Sequence, residues 1–248
     1  MVRGLGCIPD PHDARGNWDE LTLSIGVVGA CDHSSLLDGV ILNQGQTSSC
    51  VGHGVARAIQ LRLRYLGEAV ELPNVLHIYA KARALAGVGV AADIGTTITA
   101  ACEAVIEDGF ARESIWPFDV SQVTAKPPWD VAQGAFDQRG MLAHRVTGDA
   151  VAAIKAALLA GLGVAIGIDC DESLQHFTGD GIWTGMQGPR LGGHCMAALD
   201  FNEGGLRVVN SWGPDWGAGG LGRIAWDYLS TEHLRSAWII DFASPYSG

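Results

Sequence analysis

The stretch Gln44-Gly45-Gln46-Thr47-Ser48-Ser49-Cys50 runs directly into a periodic apolar segment, and the reading of the chain turns on it. From Ser49 to Leu66, Val55, Ile59 and Leu66 recur at helical spacing, supported by Ala58 and Leu63. Arg57, Gln60 and Arg64 fall largely on other sides. Ser48 and Ser49 are N-cap types, and Gly67 is a stop. The spacing predicts a helix with Cys50 in its first turn. There the positive end of the helix dipole favours thiolate over thiol, and thiolate is the nucleophilic form.

Three later segments supply what a thiol nucleophile needs. Gly192-Gly193-His194 opens a strand-like run, Asn210-Ser211-Trp212-Gly213 closes another and precedes Trp216-Gly217, and Glu113-Ser114-Ile115-Trp116-Pro117-Phe118 lies between the halves of the chain. A histidine beside the cysteine takes its proton and later returns it to a leaving amine. An asparagine amide holds the imidazole in place. A glutamine near the cysteine aims an N–H at a developing oxyanion, beside the backbone N–H of the cysteine itself. Taken singly, Cys50 reads as a small buried apolar residue, His194 as a core histidine and Asn210 as a turn residue. Their co-occurrence in this order favours catalysis.

Working outward, a helix follows Pro73 over about Asn74–Ala86, another runs from Thr96 or Thr97 to Gly109, and Asp149 caps one ending at Ala160. Strand-like runs then follow at Val164–Asp169, His194–Phe201, Leu206–Ser211, Leu221–Trp226 and Ala237–Phe242, separated by Gly-rich turns. Helices early and strands late indicate an α+β chain with two lobes.

A chain of 248 residues is one large domain or two small lobes sharing a cleft. With 48% hydrophobic and 17% charged residues it buries a sizeable core, which excludes global disorder. A formal net charge of −11 argues against nucleic acid or an anionic membrane surface as partner. The longest apolar stretch, Val151–Ile168, is interrupted by Lys155, Gly161 and Gly163, and reads as helix, turn and strand and not as a membrane span. The first residues lack the apolar core of a secretory signal. Cys7, Cys31, Cys50, Cys102, Cys170 and Cys195 are too sparse for a disulfide scaffold, so a cytoplasmic chain with free thiols is expected. His53 with Cys50, Cys195 and His194 has the residue types of a zinc set. Strand alternation puts Cys195 on the side opposite His194, so no metal is expected.

Together these segments resemble the papain-like cysteine peptidases. QGQTSSC is similar to the family's segment around its nucleophile, GGHCMAALDFN to its histidine strand, and VVNSWGPDWGAGGLGRI to its Asn-Ser-Trp-Gly segment. DIGTTITAACEAVIEDGFARESIWPF resembles the glycine loop and the helix after it, and Asp180-Gly181-Ile182-Trp183 the stretch ahead of the histidine. The resemblance implies Cys50 as nucleophile, His194 as general base and acid, Asn210 as its orienter and Gln44 as oxyanion donor. It implies Ile94, Gly95, Gly192, Gly193 and Trp212 as substrate-binding, with Trp212 shielding the His194–Asn210 bond. Val51, Thr47 and Cys195 depart from the better-known members and resemble a bacterial or phage-type branch.

The expected architecture is a papain-like α+β fold. An N-terminal segment, 1–44, packs on the second lobe. A helical lobe, 45–135, carries the nucleophile, and a β-barrel-like lobe, 136–248, carries His194 and Asn210. The implied activity is hydrolysis of peptide bonds in a peptide or protein substrate through a thioester, without metal or organic cofactor. The location is cytoplasmic, or virion-associated if the chain is phage-encoded. Isopeptidase, transpeptidase and cell-wall amidase activities would use the same residues, and a silent binding protein would keep the fold. The 49 residues before Cys50 are fewer than the family's inhibitory pro-segment. Either the chain is made active, or its first 35 or so residues do something else.

Overall fold

A computed structural model of the chain describes residues 3–10, 29–136 and 140–242. The remaining positions of the N-terminal segment, His12 among them, lie outside the described residues. Helices come first: α1 (Cys50–Tyr65), α2 (Val75–Leu85), α3 (Ile98–Asp108) and α4 (Trp129–Phe136). Asn74 and Thr97 cap α2 and α3 by accepting the N–H of His77 and Ala100. Ser49 precedes α1 but does not cap it through its side chain. Its hydroxyl pairs with that of Thr47 at 2.7 Å instead.

Every residue of α1 from Cys50 to Leu61 is buried, including the polar ones expected to face away from the core. Arg57 and Gln60 remain inside because Asp38 neutralises and bonds them, at 3.2 and 3.1 Å, while Arg57 also donates to Gln60 at 2.6 Å. α1 is thus a central helix, packed chiefly on the sheet, and this fixes the position of its first residue.

The sheet has seven strands: β1 (Met141–Arg145), β2 (Gly163–Cys170), β3 (Ile182–Trp183), β4 (Gly192–Asn202), β5 (Gly205–Val209), β6 (Leu221–Ala225) and β7 (Leu234–Phe242). Their order is β1-β7-β2-β4-β5-β6-β3, antiparallel throughout except for β3 beside β6. α5 (Ala150–Leu159) leads into β2, and the short helices α6 (Glu172–Gln175) and α7 (Trp226–Leu229) complete the chain. The sheet is open, which corrects the expected barrel-like lobe. β1 pairs only with β7 and the two-residue β3 only with β6, so the two edges never meet.

β2 and β4 are buried on both faces, and successive residues divide between two cores. Ala165, Cys195 and Ala197 face α1. Val164, Ile166, Met196 and Ala198 join Ile154 and Leu158 of α5 with Trp212 and Trp216. His194 sits one residue before Cys195 and takes the face that carries Trp212. Among the described residues no helix is long and apolar enough to cross a membrane.

Candidate active site

β4 and the loop after β5 position the histidine and asparagine. His194 Nε2 lies 2.7 Å from Asn210 Oδ1, and the Trp212 ring stacks on the imidazole at 4.0 Å between centroids. The indole covers a hydrogen bond that water would otherwise weaken. Asn210 Oδ1 is the acceptor in this bond, so Nε2 carries the hydrogen and the neutral ring has its lone pair on Nδ1. Nδ1 is buried without a hydrogen-bond partner.

Gln44 is drawn to the same place by the pairing of its segment with the residues after β5. Its backbone N–H donates to Ser211 O at 2.8 Å, and its Oε1 accepts from the Ser211 hydroxyl at 2.6 Å. That bond orients the amide, leaving Nε2 to donate to Thr47 O at 2.7 Å and to Gly4 O at 3.2 Å. Trp212 Nε1 donates to the same Gly4 carbonyl, also at 3.2 Å.

The N-terminal residues therefore lie in the site itself. Residues 4–8 form an extended strap between α1 and α3 on one side and β4 on the other. Gly6 and Cys7 donate to Gly193 O at 3.3 and 3.1 Å. Thr96 donates to Gly6 O at 3.0 Å and accepts from Ile8 at 2.9 Å. The pairing of Cys7 with Thr96 is parallel. Gly193 admits this close approach because a Cβ there would stand 2.1 Å from Cys7 O. Gly192 meets Leu5. Of the expected substrate contacts, Gly193 and Trp212 touch the strap through hydrogen bonds and Gly192 through packing. Gly95 approaches Gly6, whereas the side chain of Ile94 is exposed. The backbone that pairs is that of Thr96, one residue beyond the expected pair.

Beneath the strap Cys50 and His194 have no exposed surface. The backbone N–H groups of Cys195, Gly6, Val51 and Cys7 surround the Cys50 sulfur, yet burial dominates and pushes its pKa up to about 12. Burial likewise brings His194 down to about 4, against the smaller support of the Asn210 bond. The covered site thus holds a thiol and a neutral imidazole, not the charged pair that thiol chemistry uses. His53, one helical turn from Cys50, donates through Nδ1 to Ser49 O at 3.0 Å and stacks edge-on against Phe118. Burial lowers it to about 4 as well. Among the described residues no three His, Cys, Asp or Glu side chains gather to hold a metal.

No protein-family model and no curated protein sequence matches the chain. Solved structures do. Xylellain, a cysteine protease from Xylella fastidiosa, superposes with a TM-score of 0.82 at 21% identity, over 98% of this chain and 97% of that one. Digestive procathepsin L 3 of Tenebrio molitor gives 0.73 at 15%, over 95% and 75%. The Carica candamarcensis cysteine protease CMS1MS2, in complex with E-64, gives 0.66 at 20%, over 88% and 100%. The fold is that of the papain-like cysteine proteases. Within this papain-like framework the sequence-expected Gln44, His194, Asn210 and Trp212 are joined by hydrogen bonds and ring stacking, and Cys50 lies under the same strap without a hydrogen bond to His194. The sequence reading missed Ser211, Thr96 and the strap. Ser211 lay inside a quoted motif, and its neighbour relation to Gln44 is visible only once the two segments pair. The strap, Gly4-Leu5-Gly6-Cys7, has no periodicity to betray it.

Proposed function

We propose that this chain is a papain-like cysteine peptidase that hydrolyses peptide bonds, and that it is latent while the strap fills its cleft. The observation that carries the reading is the Gly4 carbonyl. It accepts from two side-chain N–H donors, Gln44 Nε2 and Trp212 Nε1, and the Trp212 ring stacks on the histidine that Asn210 holds. A carbonyl in that position is where a developing oxyanion would be stabilised. Once a substrate replaces the strap, Cys50 sulfur attacks the scissile carbonyl carbon, and its proton passes to His194 Nδ1. The C–N bond breaks as the leaving amine takes that proton, leaving a thioester. Water, deprotonated by His194, then attacks the thioester carbonyl and releases the acid and the Cys50 thiol. Asn210 keeps the ring oriented throughout. Two neighbours of this fold were solved with the E-64 inhibitor, which supports a peptide-like occupant for the cleft. The Xylella fastidiosa neighbour supports a bacterial type, and six unpaired cysteines support a reducing compartment.

The test uses a variant in which the strap cannot seat. A Cβ at Gly6 would stand 2.0 Å from Ser48 O, so Gly6→Val is expected to lift the strap with the rest of the fold intact. Gly6→Val should hydrolyse a casein-derived peptide mixture and take an epoxysuccinyl probe on Cys50, located by mass spectrometry. Gly6→Val/Cys50→Ala should do neither while keeping the same circular dichroism spectrum. Hydrolysis that survives loss of Cys50 sinks the proposal.

A further inference from the structure

Two residues beyond the strap, Asp10 is a charged group with an unusual seat. Asp10 is only 8% exposed, and among the described residues no Lys or Arg pairs with it. Its carboxylate is held by three neutral donors from two elements. Oδ1 accepts from the Thr99 backbone N–H at 3.1 Å and from the Thr99 hydroxyl at 2.7 Å. Oδ2 accepts from Trp238 Nε1 at 3.1 Å. Thr99 lies in the first turn of α3, where the helix dipole adds to the attraction. Trp238, wholly buried on β7, fixes the third donor from across the core. A buried carboxylate without a cation is tolerable only because these donors converge on it.

The seat lies along the path of the N-terminal segment. Ile8 bonds Thr96 O, and the chain reaches Thr99 one helical turn later. The Thr99 and Trp238 donors belong to the folded body, not to the strap. An amide in place of the carboxylate would turn an NH2 against one of them, because the seat offers donors on both sides. The seat thus discriminates Asp from Asn at almost constant shape.

We propose that Thr99 and Trp238 form a carboxylate subsite of the cleft. Asp10 fills it to hold the strap down, and an acidic side chain of an incoming peptide takes the same donors when the strap lifts. The acidic residue stands three positions from the one that pairs with Thr96, as Asp10 does from Cys7. This deepens the peptidase reading and rests on it for the word substrate. The pocket itself is tested by binding, which needs no turnover.

The first arm follows alkylation of Cys50 by iodoacetamide, resolved by site with mass spectrometry. In the full chain, Asp10→Asn should raise the Cys50 rate at least tenfold, and Thr99→Val should do the same from the other side of the contact. The second arm uses Gly6→Val/Asp10→Asn, whose own strap is displaced. Here the synthetic peptide Arg-Gly-Leu-Gly-Ala-Ile-Pro-Asp should protect Cys50 at a concentration at least tenfold lower than its Asn-ended counterpart, and Thr99→Val should erase the difference. Wild-type alkylation rates in both single variants would show that Asp10 does not hold the strap. Equal protection by the two peptides would show that the pocket does not select a carboxylate. Either result overturns the subsite. A chain that passes both arms but cleaves no peptide keeps the subsite and loses the peptidase.

Discussion

At Cys50 burial opposes the chemistry proposed for the residue. Four N–H groups surround its sulfur, yet removal from water leaves it protonated, and the same desolvation keeps His194 neutral. In the proposed mechanism, lifting the strap readmits water and lets the pair charge, so that uncovering and activating Cys50 are one event. Gln44 is coupled to that event from both sides, since its amide grips the Gly4 carbonyl now and is proposed to grip the oxyanion later. In a Gly6→Val background, Gln44→Ala should therefore lower kcat roughly 10²–10³-fold with little change in KM. In the unaltered strap, the same substitution should speed alkylation of Cys50. Single-turnover kinetics and mass spectrometry read the two effects separately, and an unchanged kcat would remove Gln44 from the oxyanion site. The residues proposed for this centre can be picked out in the sequence because each lies in a short motif with its own chemical signature. Thr96 was not, because the motif names the loop while its backbone angles decide which peptide faces the cleft.

Among the elements, the loop before α3 shows how a glycine and a carboxylate build one wall of the cleft. Asp93 accepts the Ser48 N–H on both oxygens at 3.0 Å and the Tyr79 hydroxyl at 2.7 Å, while Tyr79 oxygen accepts the Gly95 N–H at 3.1 Å. The loop is thus tied to the start of α1, two residues before Cys50. Gly95 has φ of 85°, a conformation costly for other residues, and a Cβ there would stand 2.2 Å from Gly6 O. Gly95→Val should raise KM for peptides about tenfold or more and also loosen the strap, so that Cys50 alkylation quickens. Unaltered KM together with an unaltered alkylation rate would mean that nothing extended lies along this loop. The longer helices and strands follow their sequence periodicities to within a few residues, as α2 and β4 do. β3 was missed because two parallel residues carry no period, and the barrel expectation failed because closure depends on edges that no local pattern encodes. The strap is the extreme case: every backbone partner it bonds is remote in sequence.

Across the whole molecule, buried titratable groups set the response to pH. His194 and His53 are held near 4, against an ordinary value of about 6.5. Below about 6.5 the unfolded chain binds protons that the folded chain refuses, so stability falls as pH drops toward 4. Glu113 works in the opposite direction. Burial raises its carboxyl to about 7 despite N–H bonds from Val75 and Phe118, so the folded chain holds a proton that the unfolded one has lost, and that contribution disappears as pH rises through 7. Glu113→Gln should therefore steepen the loss of stability between about pH 6.5 and 4.5. Urea midpoints at three pH values measure it, and equal slopes in the two proteins would contradict the assignment. The strap has one more consequence at this scale. Because it is part of the chain it covers, its hold is intramolecular and independent of protein concentration. Diluting the protein cannot release it, whereas a competing peptide of sufficient affinity and concentration can, so onset of activity should follow the supply of competing chain and not the amount of enzyme.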